Sequence, residues 1–448
     1  MDRIIKKLKD YKSIIDIFSK FKDEKYAVLL DSSLKNNLGK FSIIALNPYL
    51  TIIQGEKLEI NGKLSNENLS DFLKKYLNEN KEINNTHLPI IAGAIGYFSY
   101  DYGRKNMDID SKHKDKINIP TAIWNFYDNF IIEDLEKKEI YIIANGKLTT
   151  AEQSINGIEQ VIENKIPCEN PEKNQNQIEV LPNFTKPNYK ETVANMIEYI
   201  IEGDIYIANM TQQLLIRSHQ TPFKAFLSLR RNNPSPFGGY LNYGCFKIIS
   251  ASPERFMKMH QNKIETRPIK GTRKRGLTPD EDKALKTELQ QSEKDKSELL
   301  MIVDLERNDL NKVCIPGSVK VTELFAVEEY ATVFHLVSTI EGKLQSHLNA
   351  IDLIDATFPG GSITGAPKIR AMEIIDELEN DNRNLYTGSF GYISLNGDMD
   401  LNIVIRTAIY KDGVYHLGVG GGITCESETE FEYEETLQKA KAILEALK

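Results

Sequence analysis

The chain has 448 residues, 41% hydrophobic and 27% charged, with a formal net charge of −8. That length allows two or three ordinary domains or one large duplicated one, with a sizeable buried core. The acidic balance excludes long-range attraction to nucleic acid or to an anionic membrane, so an acidic ligand needs a local site.

Taken in chain order, residues 1–21 (MDRIIKKLKDYKSIIDIFSKF) read as an amphipathic helix. Charge interrupts its apolar residues, so it lacks the apolar stretch of a signal peptide. No later segment reaches about 18 uncharged apolar residues, and the cytoplasm is the expected location. The cysteines Cys168, Cys245, Cys314 and Cys425 show no metal or disulfide spacing and read as reduced, mostly packing residues.

Residues 24–63 alternate short strand-type runs with turns, and 91–104 and 121–147 continue the pattern, with hairpin signals at NGK and EKK. The polar, Pro- and Asn-rich 164–187 stretch reads as a linker between a region 1–165 and a region 185–448. Beyond it come a helix stopped by Gly203 and then a strand. A long helix is predicted from 279 to about 310, with further helices near Ala350, near Thr364 and over 428–448. YTGSFGYISL, DLNIVIRTAIY and GVYHLGVGGGIT read as strands. With no βαβ rhythm and no short repeat, the pattern predicts an α+β fold with a largely antiparallel sheet flanked by helices.

Several stretches can carry chemistry. Asp295 with Glu298, and Glu432 with Glu435, are carboxylate pairs at helical i, i+3 spacing, each on one helix face. Two such helices would make an all-oxygen site of the kind Mg²⁺ takes, or simply two acidic surfaces. Three glycines, Gly420, Gly421 and Gly422, leave backbone N–H groups open to an anion, or form a plain bend. Ser362 and Thr364 offer hydroxyls before a helix start. No phosphate loop or dinucleotide fingerprint occurs, which argues against ATP and NAD. Arg406 is placed among aliphatics in a strand, where it needs an anion from protein or substrate. His335 in TVFHLVST suits a core residue as well as a catalyst. Lys270 in RPIKGTRKRG reads alone as one of many surface lysines, held at a turn-like position. Glu254 lies sixteen residues before it in a strand–turn–strand stretch, which can bring the two together.

Taken together, SPERF, PIKGTRKRG, SELLMIVDLERND, FHLVS, GGSITGAPKIRAM, YTGSFGY, NIVIRTA and GGGIT with E-x-x-E-T resemble the chorismate-utilising enzymes, over essentially the whole chain. The resemblance implies two large orthogonal, mostly antiparallel sheets packed face to face with helices outside. It implies Mg²⁺ held directly by Glu298 and Glu435 and through water by Asp295 and Glu432, gripping the ring carboxylate of chorismate. Arg406 and Tyr386, with the amides of Gly420–Gly422, would hold the enolpyruvyl carboxylate. Ser362 would contact the ring carboxylate, His335 the C4 hydroxyl, and Glu254 would be a general acid/base. Leu30, Asp31 and Ser32 in LLDSS resemble the family's tryptophan-pocket segment.

Within the family, alanine in the PI-x-GT motif marks the anthranilate-forming branch and lysine the branch that aminates chorismate at C4. The resemblance therefore implies Lys270 as a nucleophile, in a pathway towards p-aminobenzoate and folate. No G-x-C-x-G glutaminase signature occurs, which implies a separate glutaminase partner as the ammonia source, and no lyase domain is expected after the last helix. Anthranilate formation is the nearest rival, opposed by Lys270; isochorismate formation is opposed by the GDIYIANMTQQ stretch. A non-catalytic aromatic amino acid sensor on this fold would have lost a carboxylate or His335, and neither is lost.

Overall fold

The computed structural model describes residues 2–164, 177–329 and 333–448; Cys168 and the middle of the 164–187 stretch lie outside them. Every ladder among the described strands is antiparallel, and the ladders join into one continuous sheet. From one end, Ile207–Arg217 pairs with Val414–Ile423, followed by Thr407–Lys411, Phe246–Ser252, Phe237–Asn242, Val28–Asp31, Phe41–Gln54 and Ala122–Asp134. The sheet continues through Gly93–Phe98, Ser389–Ser394, Met399–Asn402, Arg255–His260, Lys263–Thr266 and Val333–Lys343. Strands from both ends of the chain are thus interleaved.

This sheet folds back on itself. Gly93–Phe98 and Phe246–Ser252 share no ladder, yet the Tyr97 ring meets those of Tyr243 and Phe246 at 5.5 and 6.3 Å. Alternate residues of these apolar, aromatic strands therefore pack face to face in a shared core. Helices cover the outside. Thr429–Ala446 lies on the glycine-bearing strand Val414–Ile423, and Glu293–Asn311 lies on Val333–Lys343. The fold is α+β, built on a large antiparallel sheet. Among the described residues, no helix is long and apolar enough to cross a membrane.

Local structure departs from the sequence pattern in several places. Residues 1–21 are not one helix: Ile4–Lys7 is a strand pairing Ile4 with Ala144, and the helix covers only Ile14–Phe18. The free edge of Glu139–Ala144 supplies ladder partners that outweigh a weak helical period. The predicted 279–310 helix divides at Ser292, which accepts the Asp295 N–H and starts a second helix, Glu293–Asn311, after Pro279–Gln291. The helix expected near Thr364 begins at Lys368, because Gly361–Ile363 forms a 3₁₀ turn and Gly365–Ala366 pairs with Ile207 and Ala208. Inside the linker stretch, Glu179–Pro182 is a strand on Ile207–Arg217. Of the described cysteines, Cys314 packs in the core while Cys245 and Cys425 are exposed.

Candidate active site

A cavity of about 580 Å³ opens where the glycine strand, the Ile269–Lys274 strand and the helices Glu293–Asn311 and Thr429–Ala446 meet. It is lined by Glu254, Lys270, Asp295, Glu298, His335, Ser362, Tyr386, Arg406, Gly420, Gly422, Glu432 and Glu435. Gly421 lies just behind this lining. A chain separation of more than 180 residues thus collapses into one chamber.

PIKGT is not a turn. It is a strand paired with Val333–Lys343, and its register shifts between Lys270 and Thr272. The extra residue of this bulge is Gly271, at φ +76°, where a Cβ would lie 2.8 Å from Asp295 Cγ. The bulge aims Lys270 into the cavity, and its Nζ donates to the Ser362 carbonyl at 3.4 Å. The Ser362 hydroxyl donates to Glu254 Oε1 at 2.9 Å, so the contact expected with a ring carboxylate is directed here at a protein carboxyl. Burial raises the Glu254 carboxyl to about 7, against the opposing effects of the Ser362 hydrogen bond and the Lys270 charge. On the neighbouring strand, His335 Nδ1 meets Thr272 Oγ1 at 2.9 Å. Burial and the nearby Arg406 charge lower this imidazole to about 4, so it is neutral at physiological pH.

The four carboxylates face the cavity from two helices. Burial raises Glu298, opposed by Lys270 and Lys294 and reinforced by Asp295 and Glu435. Burial also raises Glu432, opposed by a hydrogen bond from Ser427 at 2.7 Å. A Cβ at Gly421 would fall 2.6 Å from Glu435 Oε2 and 3.2 Å from Glu432 Oε2, so this glycine leaves the space the carboxylates occupy. Among the described residues, no three such groups already enclose an ion site. Arg273 holds Asp295 at 3.0 Å and Lys439 holds Glu435 at 3.3 Å. An all-oxygen set with repelled, partly desolvated carboxylates nonetheless fits Mg²⁺, whose charge reverses the cost of ionising them together.

The glycine run is strand, not bend. Its ladder with Thr407–Lys411 stops at Leu417, and beyond that point the strand pairs only with Ile207–Arg217. The second edge of 418–423 therefore faces the cavity. Arg406 ends the ladder: it sits at φ +52° between two strands, not buried inside one, and is exposed to the chamber. No described carboxylate forms an ion pair with it, which leaves its guanidinium available to an anion. Gly418 lies on the Tyr386 ring, where a Cβ would be 2.1 Å from Cγ.

Sequence reasoning missed Lys439, whose Nζ donates to the Gly420 carbonyl at 2.8 Å, and Asn209, Thr272, Arg273 and Lys294 on the cavity wall. The i, i+4 spacing of Glu435 and Lys439 was the legible signal for the first. Leu30, Asp31 and Ser32 lie elsewhere, on a separate cavity of about 390 Å³ that Pro236, Phe237 and Phe390 also line. There Asp31 accepts from Arg230 at 2.9 Å, and the Ser32 hydroxyl donates to the Pro236 carbonyl at 2.9 Å.

The model of the chorismate binding enzymes matches residues 26–445. The chain is 36% identical over 442 residues to aminodeoxychorismate synthase component 1 of Klebsiella aerogenes, covering 96% of this chain and 95% of that protein. It is also 36% identical over 467 residues to anthranilate synthase component 1 of Acetivibrio thermocellus, covering 98% and 93%. In structure it is similar to anthranilate synthase component I from Streptococcus pneumoniae TIGR4, with a TM-score of 0.84, 32% identity and 99% of each chain covered.

Proposed function

The chain belongs to the chorismate binding enzyme family, and on that premise we propose that it replaces the C4 hydroxyl of chorismate with an amino group. The product is 4-amino-4-deoxychorismate, a precursor for p-aminobenzoate and folate. Lys270 carries this reading. Its amine faces the cavity between the Ser362 carbonyl and the open face of Gly422, where a Cβ would lie 3.1 Å from it. Anthranilate formation adds ammonia at C2 and needs no amine at this position. Amination at C4 with retention does, because it proceeds by two displacements.

In the first, the Lys270 nitrogen bonds C2 through its lone pair, both ring double bonds shift, and the C4 hydroxyl departs. Glu254, protonated up to about pH 7, gives its proton to that oxygen, which leaves as water. Neutral His335, anchored through Nδ1 on Thr272, presents Nε2 to the same hydroxyl. In the second, ammonia bonds C4, the double bonds shift back, and the C2–N electron pair returns to Lys270. Arg406, Tyr386 and the free edge of the glycine strand hold the enolpyruvyl carboxylate. Glu298 and Glu435 would hold Mg²⁺ directly and Asp295 and Glu432 through water, and the bound ion would supply positive charge for the ring carboxylate.

Both relatives are named as component 1, and we attribute the ammonia to a separate glutaminase component acting beside this chain in the cytoplasm. Relatives of equal identity bear the anthranilate synthase name, so product identity is the decisive test. Chorismate, ammonium and Mg²⁺ are incubated with the protein, with and without an aminodeoxychorismate lyase, and the products are separated by chromatography. We expect 4-amino-4-deoxychorismate, converted to p-aminobenzoate when the lyase is present. Anthranilate as the main product overturns the reading.

A further inference from the structure

Asn209 lies in the Ile207–Arg217 strand, is 8% exposed, and lines the cavity. Its backbone N–H donates to the Thr364 carbonyl at 2.8 Å, and its carbonyl accepts from Arg383. Both backbone groups thus turn away from the glycine strand, although Asn209 stands opposite Gly422 in the register. Such a non-hydrogen-bonded pair is the close kind, with side chains on the same face and Cα atoms about 4.5 Å apart. Ile207, two residues earlier and on the same face, confirms the direction: its Cδ1 is 3.5 Å from where a Gly422 Cβ would sit. That same Cβ position is 3.1 Å from Lys270 Nζ. The Asn209 side chain therefore leaves its strand on the face that the lysine amine approaches, and both line the chamber. No described residue hydrogen-bonds this carboxamide. A nearly buried amide without a protein partner, opening into a cavity, is built to bind something there.

We propose that Asn209 receives the second nucleophile, ammonia, its carboxamide oxygen accepting an N–H and so aiming the nitrogen lone pair at the substrate ring. The inference rests on the C4-amination reading and extends it to the residue that serves only the second displacement. In that step the ammonia lone pair forms the C4–N bond, both ring double bonds move back, and the C2–N bond breaks. Its electron pair returns to Lys270, and the surplus proton of the new ammonium passes to the lysine nitrogen. Lys270 cannot orient the ammonia, because its nitrogen is then bound to C2. An acceptor on the strand that frames the same face of the chamber can.

The two displacements separate experimentally. Full-length protein is loaded with chorismate and Mg²⁺ without ammonia, and the Lys270 adduct is quantified by mass spectrometry. Ammonium chloride is then added in increasing amounts and the decay of the adduct followed. Asn209→Leu keeps the branched outline and removes the acceptor; Asn209→Asp restores an acceptor of the same shape. We expect all three proteins to load alike, and Asn209→Leu to need about tenfold more ammonia for half-maximal discharge, with Asn209→Asp recovering much of it. If Asn209→Leu does not fold, judged by its melting transition, Asn209→Ala takes its place. Discharge with unchanged ammonia dependence overturns the inference, and so does a folded variant that fails to load. A wild-type protein that never loads overturns the Lys270 reading itself, and this inference with it.

Discussion

The Ser362 hydroxyl donates to Glu254 at 2.9 Å, and together they place a buried carboxyl beside the Lys270 amine. Because burial raises Glu254 from 4.5 to about 7, a large share of it keeps the proton near neutral pH, which an acid for a departing hydroxyl needs. Adduct loading on Lys270 should lose a protonated group as pH rises through about 7, and Glu254→Gln should cut loading by about 100-fold or more. The same shift has a signed effect on stability. Glu254 binds its proton more tightly folded than unfolded, so its contribution is fully present below about 4.5 and is lost as pH rises through about 7. Melting curves at about pH 5 and about pH 8 should show Glu254→Gln gaining on wild type at the higher value. A constant difference between the two proteins would refute the assignment.

The carboxylates divide into two expected tiers. Glu298→Gln and Glu435→Gln, at the proposed direct ligands, should each weaken Mg²⁺ binding by about 100-fold or more. Asp295→Asn and Glu432→Gln, proposed to act through water, should cost about tenfold. Isothermal calorimetry with the metal alone measures this without reference to turnover, and melting temperatures should show all four variants folded. Four equal losses would break the division, and full turnover in EDTA would remove the metal from the reaction.

The site was more legible than the elements that carry it. The carboxylate pairs stand at fixed helical spacing, a pattern that survives in sequence, whereas Lys270 and Glu254 stood out only through the motifs that resemble the chorismate-utilising enzymes. What was not legible depended on partners distant in the chain. Residues 1–21 lost their helical period because the edge strand Glu139–Ala144 captured Ile4–Lys7. Arg406 read as a buried strand residue, since no sequence rule announces a non-glycine residue at φ +52°. Gly271 read as a turn glycine, and only the register with Val333–Lys343 reveals a bulge. Asn209 went unnoticed because an asparagine in a strand has no spacing signal until Gly422 is seen opposite it.

The second cavity yields a binding prediction. Leu30, Asp31 and Ser32 line about 390 Å³ of space walled by Phe237 and Phe390, large enough for an aromatic amino acid. If tryptophan is its occupant, adding it should raise the melting temperature by about 2 °C or more, by binding the folded state alone. Ser32→Phe, which fills the space, should abolish that rise. The absence of any shift in wild type, with no tryptophan released on denaturation, would leave LLDSS as ordinary core strand.

On the proposed C4 amination, Lys270 is the residue on which the reaction turns. A nucleophilic amine must be neutral and must reach C2, and the bulge at Gly271 turns it into the chamber while Ser362 anchors one N–H. Protein incubated with chorismate and Mg²⁺, but without ammonia, should gain the mass of chorismate minus water. Peptide mapping should place that mass on Lys270. Lys270→Ala should show no adduct and lose C4 amination by about 1,000-fold or more, because it loses the first displacement. Its cavity would still admit chorismate and ammonia, so direct attack at C2 remains open, and a trace of anthranilate-type product in the variant is the expected signature. Wild-type protein that gives anthranilate as its main product and carries no adduct would instead assign the chain to C2 amination.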